Sequence, residues 1–268
     1  MAFRILVLIK QVPDTRKVEM DQKTGNLRRD LMGAIMNPED AHALACAIDL
    51  KEQFPGVYIG VLSMGPPQSE KVLKSACCHP VDEAFLLTDI AFAGSDTKVT
   101  AQTLRAGIKA IENEGSLFDL IICGHQAIDG DTAQTPGQLA YFLERPCALG
   151  LDFLEIKENR VFYRFSNNDE IITASIKLPA LVSVTKNINT PDFPTVRGVI
   201  AMKTKVIRVF DRDKLNIPLD DCGLNSSPTR VIKTFFPEFS RKNILIDGSE
   251  VKCAETILKI IKELPIDA

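Results

Sequence analysis

The sequence predicts an α/β protein built on a doubly wound, mostly parallel sheet, with antiparallel strands added to it and an extended C-terminal arm. Three observations carry that prediction. Short apolar runs, of which Leu120-Ile121-Ile122-Cys123 is the clearest, alternate four times with helical stretches before Gly150, as strands covered on both faces by crossover helices do. Beyond Gly150 the apolar period drops to two, the period of antiparallel strands with one wet face. Several early runs end in small-residue turns, which would gather along the carboxyl edge of the sheet, where such folds bind ligands.

Phe3 to Ile9 is the first strand, and Pro13 makes the following Lys10–Asp14 a loop. Thr15 to Ile35 is polar and reads as an irregular excursion. Asn37 is a helix N-cap, Pro38 suits the first turn, and Glu39 and Asp40 complement the positive helix end. Ala41, Leu44, Ala45 and Ile48 would form the buried stripe of that helix, with His42 flanking it rather than serving catalysis. Gly56 to Ser63 is the second strand, ending in Met64-Gly65-Pro66-Pro67 and a helix to about Cys78. Glu83 to Leu87 is the third, and the turn Gly94-Ser95-Asp96-Thr97 caps a helix over Lys98 to Asn113.

The stretch Leu117 to Glu144 supplies the fourth strand and the most informative loop. Gly124 ends the strand; Thr135 is an N-cap candidate, Pro136 fits the first helical position and Gln138 completes a T-x-x-Q capping box. The loop between them, Gly124-His125-Gln126-Ala127-Ile128-Asp129-Gly130-Asp131-Thr132-Ala133-Gln134, would bring free backbone N–H groups to the sheet edge, an arrangement that receives phosphate. Asp129 and Asp131 would repel an anion unless they are turned to Asx-turns or a ribose hydroxyl. An ordinary strand-to-helix turn stays open beside this reading, since neither G-x-G-x-x-G nor a P-loop is present.

After Gly150, Leu151 to Lys157 and Arg160 to Ser166 flank Glu158-Asn159 as a hairpin, and Ile171 to Ile176 and Ala180 to Thr185 read as further strands added antiparallel to the sheet edge. Thr195 caps a short helix whose Val196, Val199 and Ile200 share one side, packed on its own sheet or offered to a partner. A first domain over residues 1–209 is then followed by an arm over 210–268. From Phe210 to Gly248 no period is sustained, although Phe235, Phe236, Phe239, Ile244 and Ile246 could anchor the stretch. A helix from Ser249 follows, with Val251, Ala254, Leu258 and Ile261 on one stripe.

Composition removes several function classes. Thirty-two basic against 35 acidic residues, a net charge of −3, argue against a general nucleic-acid or anionic-membrane binder. No run of 18 apolar residues exists and the N-terminus enters a core strand directly, so a cytosolic protein without a membrane span or cleaved signal is expected. Seven cysteines without a C-x-x-C, and three histidines, fit reduced buried thiols better than a disulfide framework or a metal site. No residue is a credible catalytic nucleophile.

These residues together resemble the beta subunit of electron transfer flavoproteins over almost the whole chain. The matching segments are LVLIKQVPDT, NPEDAHALACAIDLKE, LSMGPPQ, GHQAIDGDTAQTPG and KLPALVSVTKNINTPDFPTVRGVIAMKTK. The resemblance implies a Rossmann-like domain and a C-terminal arm that embraces the alpha subunit. It places a nucleotide pocket at Leu8, Asn37 to Asp40, Met64 and Gly124 to Thr135, with Asp96 and Thr97 near the same flavin. Asp129-Gly130-Asp131-Thr132 is similar to the electron-bifurcating members, which hold FAD, take hydride from NADH and serve ferredoxin and a flavoprotein dehydrogenase of acyl-CoA or 2-hydroxy-acid type. Members that only relay electrons hold AMP and carry three successive aspartates there. Gly130, lacking a side chain, would admit the bulkier cofactor. Thr195, Val196, Arg197, Val199 and Ile200 match the loop that anchors the dehydrogenase. Departures from the pattern fall at Ala45, His79-Pro80, His125 and Ile172.

Overall fold

The computed structural model describes residues 3–14, 33–167, 170–230, 232 and 245–263. The chain divides into two units, Met1–Arg230 and Val231–Ala268. The first begins with β1 (Arg4–Leu8), whose last four residues are buried. Beyond it, β2 (Gln11–Pro13) and β3 (Ala34–Met36) pair as a two-stranded antiparallel ribbon. The expected loop over Lys10–Asp14 is therefore a short strand: Pro13 sits at its end, where a missing N–H is tolerated. Of the expected excursion, residues 15–32 lie outside the described ones.

Helix α1 (Pro38–Gln53) returns the chain to β4 (Tyr58–Met64), and a short 3₁₀ turn leads into α2 (Glu70–Ala76). Next come β5 (Glu83–Leu87), α3 (Thr97–Glu114), β6 (Leu120–Gly124), α4 (Thr135–Phe142) and β7 (Cys147–Leu151). Three strands then form a separate antiparallel sheet: β8 (Phe153–Lys157), β9 (Arg160–Asn167) and β10 (Glu170–Lys177). Positive φ values of 49° at Glu158 and 60° at Asn159 close its first hairpin, as a two-residue turn requires. The chain continues through β11 (Ala180–Val184), α5 (Val196–Met202), β12 (Ile207–Phe210) and α6 (Gly223–Ser226).

The main sheet has seven strands in the order β12-β5-β4-β1-β6-β11-β7, and each neighbouring pair is parallel. This corrects the expectation that Ala180 to Thr185 is an antiparallel edge addition. All five residues of β11 are buried, and an unbroken run of that kind belongs inside a parallel sheet. Period two holds instead for β8 to β10, which build their own sheet.

Alternation along β1 sends Ile5 and Val7 to one face and Leu6 and Leu8 to the other. Val7, Val61, Ile122 and Val182 pack with Ala43, Leu44 and Ala47 of α1 and Leu73 of α2 on the first face. On the second, Leu6, Leu62, Phe85 and Ile121 meet Leu104 and Ile108 of α3 and Leu139 of α4. The buried surface of α1 is wider than the stripe read from the sequence, taking in Ala43, Cys46, Ala47 and Leu50. Its core also receives Leu154, Ile156 and Tyr163 from the antiparallel sheet.

Past Phe210 the chain stays in the first unit to Arg230: β12 pairs with β5, and Leu215 and Cys222 enter the second core. The second unit contains α7 (Glu250–Glu263), with Val251, Leu258 and Ile261 exposed. The anchors Phe235, Phe236, Phe239 and Ile244 lie outside the described residues. No helix among the described residues is long and apolar enough to cross a membrane.

Candidate functional site at the carboxyl edge of the sheet

Sheet order decides where a ligand can enter. From β1 the chain builds outward through β4 and β5, then crosses back to lay β6 on the other side of β1. The strand order thus reverses between β1 and β6, and doubly wound sheets form their ligand crevice at the carboxyl ends of such a reversal. Its walls are the turn after β1, the first turn of α1, and the loop from Gly124 to Gln134.

The first turn of α1 holds that loop. Asn37 occupies the N-cap position but its side chain caps nothing in its own helix. Its Nδ2 donates to the Gln126 carbonyl at 2.9 Å, and its Oδ1 accepts from the Ile128 N–H at 3.2 Å. Glu39 Oε2 accepts from the Gln126 N–H at 2.8 Å. Asp40, buried, accepts from the Lys10 N–H at 2.7 Å through Oδ2 and from the Gly124 N–H at 3.1 Å through Oδ1. One carboxylate thus ties the end of β1 to the end of β6. Burial pushes the Asp40 carboxyl up to about 7, against the hydrogen bonds from Asn37, Lys10 and Gly124 that favour its ionised form. Gly124 is required by this closeness, since a Cβ there would stand 2.5 Å from Asp40 Oδ1 and 2.9 Å from the Asp40 nitrogen.

Beyond Ile128 the loop is exposed and turns sharply. The N–H groups of Gly130 and Asp131 both donate to the Ala127 carbonyl, and Asp131 and Ala133 have φ of 52° and 53°. Two non-glycine residues in the left-handed region within three positions are uncommon, and such backbones concentrate at ligand sites. Among the described residues the N–H groups of Thr132, Ala133 and Gln134 donate to no protein acceptor. Asp129 is drawn to Lys10, Nζ to Oδ1 2.7 Å, so one of the two loop carboxylates is countered by a cation of the opposite wall. A Cβ built on Gly130 meets nothing within 4 Å. The protein itself gives no steric reason for a glycine at that position.

The start of α4 differs from the sequence reading. Thr135 is its first residue rather than its cap, Gln134 takes the cap position without a side-chain bond, and no capping box forms. Thr97 Oγ1 lies 3.4 Å from Gln134 Oε1, which brings the beginning of α3 beside the loop. Asp96 caps α3 through the Val99 N–H and receives the N–H and hydroxyl of Thr229, so its carboxylate is committed to the fold. Leu8 is buried in the core and lends the edge only its backbone; Met64 ends β4 half-buried beside it. His42 pairs with Asn189 at 3.0 Å.

Three contributors escaped the sequence reading. Lys10 counters Asp129, while Ser183 and Gly150 hold His125: Ser183 Oγ lies 3.3 Å from His125 Nδ1 and accepts the Gly150 N–H at 2.9 Å. The available signal was the lone hydroxyl in the otherwise apolar run Ala-Leu-Val-Ser-Val. Residues 195–200 are not brought to this site. Thr195 caps α5 through the Gly198 N–H, and α5 lies against the carbonyl of Cys78, ahead of β5 at the amino edge of the sheet. Val196 is 79% and Ile200 62% exposed, so the patch is not covered by its own sheet. Among the described residues no group of three or more His, Cys, Asp and Glu could hold a metal ion.

Residues 27–215 match the family model of the electron transfer flavoprotein domain. The chain is 36% identical over 261 residues to the caffeyl-CoA reductase-Etf complex subunit CarD of Acetobacterium woodii, covering 97% of this chain and 98% of that protein. It is also 36% identical over 256 residues to the electron transfer flavoprotein subunit beta of Thermoanaerobacterium thermosaccharolyticum, covering 95% and 96%. Identity to the acryloyl-CoA reductase electron transfer subunit gamma of Anaerotignum propionicum is 32% over 262 residues, covering 95% and 96%. A doubly wound sheet opened at this crevice and matched over most of its length thus belongs to the electron transfer flavoprotein family. Within that family it is of the beta-subunit type.

Proposed function

We propose that this chain is the beta subunit of an electron-bifurcating electron transfer flavoprotein and that its crevice holds FAD. The observation that carries the reading is the loop around Asp129-Gly130-Asp131-Thr132, where an open glycine is followed, from Thr132 to Gln134, by three N–H groups that have no acceptor among the described residues. Groups of that kind suit a diphosphate resting on main-chain amides. Asn37, Glu39 and Asp40 act behind the cofactor rather than on it, fixing the backbone of Gly124 to Ile128. Lys10 keeps the Asp129 carboxylate from facing the phosphates alone. Asp131, exposed at the turn, is placed to accept from a ribose hydroxyl.

When bound, FAD supplies acceptance of hydride from NADH and delivery of the two electrons separately, one to ferredoxin and one through the alpha-subunit flavin to a flavoprotein dehydrogenase. The names of the Acetobacterium and Anaerotignum relatives place them with acyl-CoA reductases, which favours an acyl-CoA type of dehydrogenase. The exposed face of α5 docks that dehydrogenase, and the arm with α7 embraces the alpha subunit.

Gly130→Asp tests the loop directly. Because a side chain at 130 meets open space, the variant should unfold at the same denaturant concentration as the parent, within about 0.5 kcal/mol, while FAD retained on purification with the alpha subunit falls severalfold. Undiminished FAD in the variant would contradict the reading.

A further inference from the structure

The hydroxyl of Ser183 determines which nitrogen of His125 carries hydrogen. Ser183 is fully buried in β11, between β6 and β7. Its oxygen accepts the Gly150 N–H at 2.9 Å and lies 3.3 Å from His125 Nδ1. Among the described residues no other acceptor is paired with that oxygen. A ring carrying hydrogen on Nδ1 would give the oxygen a second donated hydrogen and leave its own without a partner, which a buried hydroxyl resists. The hydroxyl hydrogen therefore goes to Nδ1, and the singly protonated ring carries its hydrogen on Nε2.

The residue is held at both ends. The main-chain N–H of His125 donates to the Val184 carbonyl at 2.9 Å, and Gly150, with φ of +72°, packs against the ring, where an added Cβ would lie 3.6 Å from the imidazole. Ser183 shares its side of the sheet with Leu181, at period two, and Leu181 belongs to the core under α3 and α4. The imidazole thus stands on the side of α4, into which the loop from Asp129 runs. Nε2 has no partner among the described residues, and the side chain is partly open.

We propose that His125 offers Nε2–H as a directional hydrogen-bond donor to an acceptor oxygen of the nucleotide in the crevice, with Ser183 and the Gly150 N–H as the residues that position it. The proposal rests on reading the loop as a nucleotide site and adds how one of its residues reads the ligand.

Selective ¹⁵N labelling of histidine in the full chain tests the tautomer, because the three histidines, His42, His79 and His125, can be assigned by changing each to Gln. Long-range ¹⁵N–¹H spectra should show His125 as the Nε2–H form, passing to a mixture in Ser183→Ala. An Nδ1–H ring or a mixture in the parent chain overturns the proposal without any variant having to fold. FAD and AMP are then titrated separately. His125→Ala should weaken whichever nucleotide binds by about tenfold, the worth of one hydrogen bond, and His125→Gln, which keeps a donor near the same point, should recover most of it. Equal affinity of His125→Ala and the parent chain, or binding of neither nucleotide, overturns the donor role. AMP bound with that loss and FAD not bound would remove the FAD reading alone and leave the donor standing.

Discussion

Asp40 shows how one buried carboxylate can set the geometry of a sheet edge, joining the ends of two strands. Its folded value of about 7 lies above the ordinary 3.8 because burial disfavours the charge. Between those values native Asp40 keeps a proton that the unfolded chain has lost, so its contribution to stability declines as pH rises through that window and levels off above it. In Asp40→Asn that decline disappears. From about pH 5 to about pH 8 the variant should gain on the parent chain by roughly 2–3 kcal/mol in urea unfolding, and parallel pH profiles would contradict the assignment. The variant should also lose one of the two clasp bonds, since an amide accepts through one oxygen where the carboxylate accepts through two. At this scale the sequence showed that Asn37-Pro38-Glu39-Asp40 opens a helix but not what its side chains grip. Their partners Gly124, Gln126 and Ile128 stand 84 to 91 positions away, and local propensity carries no information about pairings of that span. The same limit hid Ser183 behind His125.

Elements were legible where their own burial pattern announced them. The strands Glu83–Leu87 and Leu120–Gly124 end within a residue of where their apolar runs end, and the cap at Asp96 starts α3 where its residue type predicts. The place of β11 was misread because its run follows directly on a period-two stretch, and neighbours in sequence suggested neighbours in one sheet. Helix α3 also depends on a contact no period reveals. Glu112, 1% exposed at its side chain, pairs with Arg145 after α4 at 2.5 Å and accepts the Phe118 N–H. Arg145→Met should cost about 3–5 kcal/mol in thermal or urea unfolding, because it leaves the buried Glu112 charge with only the Lys109 ammonium, 3.7 Å away, to balance it; a loss below about 1 kcal/mol would mean the pair is solvated. The short α5 behaves oppositely. A Cβ on Gly198 would stand 1.9 Å from the Cys78 carbonyl oxygen, so at this glycine the helix sits directly on the turn after α2, while Val196 is exposed. Val196→Asp should leave stability within about 0.5 kcal/mol but weaken capture of the dehydrogenase by at least about tenfold in calorimetric titration. Unaltered capture would remove α5 from the docking surface.

Across the whole first unit the two regions proposed to act stand on opposite edges of one sheet. The crevice gathers the ends of β1 and β6, while α5 rests ahead of β5 at the amino edge. A strand of five to seven residues separates those edges by roughly 17–23 Å, so a dehydrogenase docked at α5, as proposed, would not take its electrons from the crevice directly. That separation agrees with the proposed route through the alpha-subunit flavin. The fold class and the crevice-forming loop were both readable before the structure, since each follows from local runs and turns; the opposed placement was not, because it depends on strand order. A flavin dinucleotide seated in the loop around Gly130 fixes the nucleotide content of the purified heterodimer. Extraction and quantification should then give two FAD per heterodimer and no AMP, and one FAD with one AMP would show that the loop holds no flavin.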